Sequence, residues 1–154
     1  MSDRSAGILL YRRREESVEV FLVHPGGPFW ARKDEGAWTV PKGLVENNED
    51  PLLAAKREFE EETGFKPPKG PFKELGTFRQ PGGKLVAMWA AEGDCDPAKL
   101  ASNTFELEWP PRSGKKRTFP EVDRGAWFGR DAAAQKILKG QRPALDALFR
   151  RHGG

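Results

Sequence analysis

The chain has 154 residues, of which 37% are hydrophobic and 32% are charged. This length corresponds to a single domain, which we expect to span residues 1–154. The 10 Phe, 5 Trp and 1 Tyr supply enough apolar surface for a core, which argues against coiled-coil, collagen-like and wholly disordered classes. The formal net charge of +3 is too small to indicate a dedicated nucleic-acid binder.

Cysteine and histidine are too scarce for several kinds of site. Cys95 is the only cysteine, and His24 and His152 are the only histidines. An internal disulfide, a multi-cysteine zinc site and a histidine-rich metal site are therefore excluded, and the single cysteine fits a reducing compartment. No apolar run approaches ~18 residues, and the N-terminal run is too short for a signal peptide. We therefore expect a soluble cytoplasmic protein with no membrane partner.

Two strands open the predicted order of elements. Residues 6–11 and 18–23 are short apolar runs separated by a polar turn, which predicts a β-hairpin. A loop rich in glycine and proline follows over residues 25–36. Residues 37–40 predict a short strand that ends at Pro41, because proline lacks the N–H that a strand needs.

A helix is predicted next. Asp50 is a typical N-cap residue, Pro51 suits the first helical position, and Gly64 can supply a left-handed C-cap. These signals place the helix at residues 51–63. Its apolar face, which should dock on the sheet, comprises Leu52, Ala55 and Phe59.

The second half of the chain predicts another hairpin and two further strands. Residues 72–79 and 84–91 flank a Pro-Gly-Gly turn. Residues 104–109 alternate apolar and acidic side chains, which is the pattern of a half-buried strand. A basic loop over residues 109–117 precedes a last strand over residues 125–128.

Two short helices are predicted near the end of the chain. We expect Asp131 to cap a helix that ends at Gly140, and Pro143 to start another. Strands interleaved with one central and two late helices indicate the α/β class. The expected architecture is a mixed sheet covered by helices on both faces.

Four acidic residues fall within five positions of the predicted central helix. Glu58, Glu61 and Glu62 have the spacing i, i+3 and i+4, which puts three carboxylates on one helix face. Like charges near the negative end of the helix dipole are destabilising, so a bound cation would compensate for them. Oxygen ligands without histidine or cysteine favour Mg²⁺, Mn²⁺ or Ca²⁺. A solvated acidic face is the alternative interpretation of this run taken by itself.

The residues around the acidic run resemble the Nudix box of the Nudix hydrolases. Gly43, Glu49 and the segment 57–65, Arg-Glu-Phe-Glu-Glu-Glu-Thr-Gly-Phe, match all nine defined positions of the family pattern over residues 43–65. Many members carry a glycine where this chain has residues 47–48, Asn-Asn. Asparagine also tolerates the left-handed conformation, so we expect the turn to be kept.

The resemblance implies a fold and a reaction. The fold is the Nudix α/β/α sandwich. The reaction is hydrolysis, by metal-activated water, of a phosphoanhydride bond in a nucleoside diphosphate linked to another group. Mg²⁺ is the implied cofactor, and Mn²⁺ is possible. The segments 29–43 and 104–114 also resemble a bacterial subgroup of predicted nucleoside-triphosphate pyrophosphohydrolases within the family.

The family pattern also implies roles for individual residues. The implied metal ligands are the carboxylates of Glu58, Glu61 and Glu62 and the backbone carbonyl of Gly43. Glu61 is in addition the implied general base, and Arg57 would pair with Glu49 to orient the glutamates. The expected catalytic residues are therefore Glu49, Arg57, Glu58 and Glu61.

Other residues bear on the substrate. Lys42 precedes the box in a Pro-Lys-Gly sequence similar to that of Nudix members acting on dinucleoside polyphosphates or diphosphoinositol polyphosphates. It would hold a terminal phosphate, or it is a surface lysine in a turn. Trp30 would stack on a base or fill the core. Arg112 and Lys115 of the basic loop would clamp a polyphosphate or remain solvated.

Many Nudix enzymes place one further acid near the metals. Glu121 precedes the last predicted strand, where the family often carries this acid, and is the first choice. Glu106 and Glu108 share the polar face of their predicted strand, with Glu108 the second choice. An ordinary surface glutamate is the alternative for each of them.

Several substrates and one non-enzymatic role stay open. The leading candidate substrate is a dinucleoside polyphosphate or a nucleoside triphosphate. The alternative substrates are an RNA 5′ end, an ADP-sugar and a diphosphoinositol phosphate. RNA has only weak support from the basic loop, and the oligomeric state is open. A catalytically silent Nudix module would sense a nucleotide or bind a protein, but silent members typically lose box glutamates, which are all present here.

Overall fold

The computed structural model describes residues 4–152. Its strands are β1 (Arg4–Arg14), β2 (Ser17–Pro25), β3 (Lys42–Leu44), β4 (Lys73–Arg79), β5 (Leu85–Glu92), β6 (Thr104–Glu108), β7 (Lys116–Pro120) and β8 (Val122–Phe128). Its α-helices are α1 (Pro51–Thr63), α2 (Arg130–Lys136) and α3 (Arg142–His152), and short 3₁₀ segments lie at Pro97–Lys99 and Lys139–Gln141.

The main sheet is mixed, as the sequence predicts. Its order is β4-β5-β1-β2-β8, and β3 pairs with the first residues of β1. Strands β1 and β5 are parallel, whereas the other pairs of this sheet are antiparallel. Strands β6 and β7 form a separate antiparallel hairpin. The predicted hairpins β1–β2 and β4–β5 are both present.

The two faces of the sheet bury different helices. Along β1, Leu9 and Tyr11 pack in a core shared with α2 and α3, whereas Ile8 and Leu10 pack in a second core under α1. This alternation is the period-2 pattern of a strand that is covered on both faces. The predicted α/β/α sandwich is therefore confirmed, with α1 on one face and the C-terminal helices on the other.

Local signals explain the bounds of α1. The Asp50 carboxylate accepts a hydrogen bond from the Leu53 N–H at 3.2 Å, and Gly64 ends the helix at φ 78°. Phe59 is 1% exposed, and its burial stabilises the fold by about 1.5–3 kcal/mol. The prediction for Leu52 needs correction, because this side chain is only half-buried and Ala54 is buried instead.

The strand predicted over residues 37–40 is wrong. The backbone N–H groups there donate to unrelated partners, because Trp38 N bonds Lys136 O at 2.9 Å and Val40 N bonds the Gln141 side chain at 2.9 Å. The segment makes only isolated bridges, and β3 begins after Pro41 rather than ending at it.

Two further boundaries differ from the sequence prediction. The basic loop covers residues 109–115 only, because Lys116 starts β7. The helix α2 begins at Arg130 after Gly129, so Asp131 lies in the first turn, where the helix dipole favours an acidic residue, and does not cap the helix. This helix ends four residues before Gly140, at Lys136.

None of the helices within residues 4–152 is long and apolar enough to cross a membrane.

Cys95 is expected to react very slowly with thiol reagents. Burial raises the pKa of its thiol to about 12, and the neighbouring Asp94 carboxylate acts in the same direction. Because only the thiolate reacts, about one molecule in ten thousand is reactive at pH 8. The rate of reaction with a disulfide reagent should rise about tenfold per pH unit up to this pKa. Labelling as fast as that of free cysteine at pH 8 would contradict this prediction.

Candidate active site

A cleft of about 670 Å³ collects most of the residues that the sequence singled out. It lies between β3, α1, the end of the β4–β5 hairpin and the residue before β8. We call it the acidic cleft. Its charged lining residues are Lys42, Glu46, Arg57, Glu58, Glu61, Glu62, Lys84 and Glu121. The structure therefore brings together three box glutamates and Glu121, which lies 59 residues beyond the last of them in sequence.

Gly43 allows Glu58 to approach the backbone of β3. A Cβ atom added at Gly43 would lie 2.0 Å from Glu58 Cδ and 2.1 Å from Glu58 Oε1. Any side chain larger than hydrogen would displace the carboxylate. A glycine at position 43 thus leaves the space in which the Glu58 side chain lies against β3.

Arg57 joins the turn before α1 to the acidic face of the helix. Its Nε and Nη2 donate to the two carboxylate oxygens of Glu49 at 2.9 and 3.0 Å, and its Nη1 donates to Glu58 Oε2 at 2.8 Å. Nη2 also donates to the Leu44 carbonyl oxygen at 3.0 Å, and Nη1 lies 3.4 Å from Glu61 Oε2. Such a two-point contact fixes orientation as well as charge.

These contacts shift the pKa values of the pair. The Arg57 guanidinium holds the pKa of the Glu49 carboxyl below its usual range. In turn, the hydrogen bond to Glu49 raises the pKa of Arg57.

The turn at residues 47–48 is kept as expected, because Asn48 adopts the left-handed conformation at φ 64°. Glu49 also accepts a hydrogen bond from the Glu46 N–H at 2.9 Å.

Two of the cleft carboxylates are poorly solvated. Burial raises the pKa of Glu62 to about 8, although the Lys42 N–H donates to its Oε1 at 3.2 Å and lowers the pKa. Burial also raises the pKa of Glu58, and the Arg57 contact opposes this change. Several half-buried carboxylates facing one cleft repel one another unless a cation compensates.

The residues present fit a hard divalent cation by their donor chemistry. Carboxylate oxygens and a nearby backbone carbonyl are the ligands that Mg²⁺ and Mn²⁺ prefer. Within residues 4–152, no group of three or more His, Cys, Asp or Glu side chains already has the arrangement of a metal-ion site. The fit therefore rests on the shared cleft and on the chemistry of the donors.

Lys42 extends from β3 into the same cleft. Burial lowers the pKa of its ammonium group, while the Glu62 carboxylate opposes this shift. Lys84 of the β4–β5 hairpin lines the cleft as well, and its charge also lowers the pKa of Lys42. The cleft thus combines the carboxylates of α1 with the ammonium groups of two lysines.

Six residues that the sequence singled out do not line the acidic cleft: Trp30, Glu49, Glu106, Glu108, Arg112 and Lys115. Trp30 is half-buried outside both core clusters, with Lys33 Nζ 5.3 Å from its ring centroid. Glu108 accepts a hydrogen bond from the Gly114 N–H at 2.7 Å, and so stabilises the loop that carries Arg112 and Lys115. Of the three acids proposed from outside the box, only Glu121 lines the cleft.

The sequence analysis missed Gln80 and Lys84, which line the cleft, and Gln141 behind it. The Gly-Gly turn at residues 82–83 signalled the hairpin but not where its end would lie. No local signal identifies Gln141, because its partners are far away in sequence. His24 is buried, and its ring nitrogens form hydrogen bonds with Asp123 Oδ1 and the Lys33 carbonyl oxygen. It does not line the cleft.

A mixed sheet between helical layers, with glutamates of its central helix facing a cleft, defines an α/β/α domain with a carboxylate-rich site. Comparison with known proteins identifies its family. The sequence model of the NUDIX domain family matches residues 1–148 of this chain. The chain therefore belongs to the Nudix hydrolase family.

The chain is also similar to part of a longer protein. An 8-oxo-(d)GTP phosphatase of Mycolicibacterium smegmatis is 35% identical over 120 residues, which are 70% of this chain but 34% of that protein. The chain therefore spans about a third of that relative's length.

Solved structures support the fold. A Caenorhabditis elegans Ap4A hydrolase complex superposes with a TM-score of 0.66 at 23% identity, over 96% of both chains. The NUDIX domain of Shewanella oneidensis NrtR bound to ADP ribose gives a TM-score of 0.65 at 17% identity, over 98% of this chain and 88% of that one.

Proposed function

We propose that the chain hydrolyses a phosphoanhydride bond of a nucleoside diphosphate linked to another group, with Mg²⁺ as cofactor and Mn²⁺ as a substitute. The observation that carries this proposal is the shared cleft of Glu58, Glu61, Glu62 and Glu121, ordered by Arg57. Divalent cations bound there would neutralise the diphosphate, activate a water and stabilise the leaving phosphate.

The chain's own residues divide the remaining work. Glu58, Glu61 and Glu62 present ligand oxygens from one helix face, and the Gly43 carbonyl adds a neutral donor. Glu61, the most exposed of these carboxylates, accepts the proton of the attacking water. Arg57 keeps Glu58 oriented through its contact with Glu49, and therefore acts as a positioning residue.

The substrate that we favour carries further phosphate groups besides the two that the cleaved bond joins. Lys42 and Lys84 line the same cleft as the glutamates, and two cations suit the further phosphates of a dinucleoside polyphosphate or a nucleoside triphosphate. The name of the M. smegmatis relative, 8-oxo-(d)GTP phosphatase, supports a triphosphate. A cytoplasmic location agrees with this choice of substrate and with a single free cysteine.

Product release from a panel of substrates tests the proposal. The panel contains diadenosine polyphosphates, canonical and oxidised nucleoside triphosphates, ADP-ribose and a diphosphoinositol phosphate, each with Mg²⁺ or with a chelator. We expect Mg²⁺-dependent release of phosphate or pyrophosphate from a polyphosphate nucleotide. Nucleotide binding without turnover of any member would instead favour a silent sensing module, and turnover that persists in chelator would contradict the role of the metal.

Replacing Arg57 by alanine is expected to weaken Mn²⁺ binding about 10- to 100-fold, because Glu49 and Glu58 lose the group that orients them. Calorimetric titration with Mn²⁺ measures this change. Arg12→Ala is the matched control, because Arg12 also pairs with two carboxylates, Glu19 and Asp94, but lies outside the acidic cleft. Equal Mn²⁺ affinity in both variants would refute the orienting role.

A further inference from the structure

A buried glutamine lies behind the acidic cleft. Gln141 ends the 3₁₀ segment before α3 and has no exposed surface. Its amide oxygen accepts a hydrogen bond from the Val40 N–H at 2.9 Å. Its amide nitrogen donates to Thr39 Oγ1 at 2.9 Å and to Gln80 Oε1 at 2.8 Å. One side chain therefore joins the segment before β3 to the end of β4.

These contacts lead to a cleft lysine on each side. Val40 lies two residues before Lys42. Gln80 lies at the end of the β4–β5 hairpin, where its N–H donates to the Lys84 carbonyl oxygen at 2.8 Å. Both lysines line the acidic cleft, together with Gln80. Gln141 is thus linked to each lysine by a short path of covalent and hydrogen bonds.

Backbone packing makes this link tight. A Cβ atom added at Gly140 would lie 3.2 Å from Gln80 Cα and 3.3 Å from both the Arg79 carbonyl oxygen and Pro81 Cδ. The 3₁₀ segment therefore lies directly against the hairpin. The hairpin has no room to move closer to Gln141.

The hydrogen bond also fixes which end of the Gln80 amide faces the cleft. A primary amide has an acceptor oxygen and a donor nitrogen. Because Gln141 holds the oxygen, the nitrogen is the end of the amide that is left for the cleft that Gln80 lines. A donor in the cleft that Lys42 and Lys84 also line suits the oxygens of a phosphate group.

We propose that Gln141 is a positioning residue for phosphate binding: it sets the separation of Lys42 and Lys84 and turns the Gln80 donor toward the phosphate chain of the substrate. This inference rests on the proposed function and deepens it, because it assigns the end of the β4–β5 hairpin to phosphates beyond the cleaved bond. Binding residues that are already ordered in the free protein lose less conformational entropy when the ligand binds.

Binding of inorganic tripolyphosphate, measured by calorimetry without divalent cations, tests the proposal. Gln141→Leu and Gln80→Leu remove the contact between the two glutamines. Thr39→Val is the matched control, because it removes a different hydrogen bond of Gln141 and leaves that contact in place. We expect the dissociation constant to rise about tenfold in the first two variants, as for the loss of an ordered donor to a charged group, and less than about twofold in the control.

A second measurement separates positioning from a general loss of structure. Mn²⁺ binding should be unchanged in all three variants, because the three glutamates proposed as metal ligands lie on α1 and do not contact Gln141. If Gln141→Leu does not fold, Gln80→Leu decides, since it leaves the Val40 hydrogen bond intact. Unchanged tripolyphosphate affinity in Gln80→Leu, an equal loss in Thr39→Val, or no binding by the wild-type chain would each overturn the proposal.

The test is independent of turnover. If the wild-type chain binds tripolyphosphate as expected but hydrolyses none of the nucleotides, the proposed function fails and the role of Gln141 is retained. If nucleotides are hydrolysed and Gln80→Leu binds tripolyphosphate as the wild type does, the proposed function is retained and the role of Gln141 is rejected.

Discussion

Glu61→Gln is expected to lower kcat on the preferred nucleotide by about 10³-fold or more and to leave the fold intact. The amide keeps the size of the carboxylate but cannot accept a proton from water, and loss of a general base alone lowers rates by about 10²–10⁴-fold. Weaker metal binding adds to this loss, because a neutral oxygen replaces an anionic one. Glu61 packs at the rim of the cleft rather than in the core, so the melting temperature should change little.

Glu60→Gln is the matched control for this experiment. Glu60 is the neighbouring residue on the same helix and carries the same charge, but it is exposed and does not line the cleft. A general effect of removing one negative charge from α1 would therefore act on both variants alike. If the two variants kept similar turnover, Glu61 could not be the general base, whatever the substrate.

The sequence was informative where the determinants of structure are local. The bounds of α1 follow from the cap at Asp50, the proline at position 51 and the left-handed residue Gly64, which act within a few residues of themselves. The common helix face of the box glutamates follows from the 3.6-residue repeat alone. For the same reason, the left-handed turn expected at Asn48 is present.

Elements that depend on distant partners were predicted less well. The segment 37–40 has the residue types of a strand, but its N–H groups are taken up by Lys136 and Gln141, about a hundred residues away. A pattern of side chains carries no information about such partners. One of the two cleft lysines, Lys84, was missed for this reason, because the pairing of β5 with β1 and of β1 with β3 brings it to the cleft that Lys42 lines.

The same reasoning separates Glu108 from Glu121, the two leading choices for an acid outside the box. Glu108 and Glu121 have similar local surroundings, since each lies at the end of a strand and each is exposed. The antiparallel pairing of β8 with β2 determines which of them reaches the cleft, and β6 pairs only with β7. The resemblance to the family ranked Glu121 before Glu108, and the topology places Glu121 in the cleft and Glu108 outside it.

Gly43→Ala is expected to reduce kcat/KM by about 10²–10³-fold while the chain remains folded. The added Cβ atom would occupy the position of the Glu58 carboxylate, 2.0 Å from Cδ, so that side chain must move. Moving it costs little conformational energy, because the group displaced is the far end of a flexible side chain in an open cleft. Its contact with Arg57 and its place beside Glu62 are lost, and a displacement of about 1 Å in a catalytic group can lower rates 10²-fold.

A comparison of melting temperature with turnover distinguishes this explanation from simple destabilisation. Gly129→Ala is the control, because a Cβ atom there meets no other atom within 4 Å and the backbone is in an ordinary conformation. Both variants should melt within a few degrees of the wild type, and only Gly43→Ala should lose turnover and Mn²⁺ affinity. Full activity in Gly43→Ala would show that the approach of Glu58 to β3 is unnecessary for catalysis. Loss of the fold would show instead that the approach mainly holds α1 against the sheet.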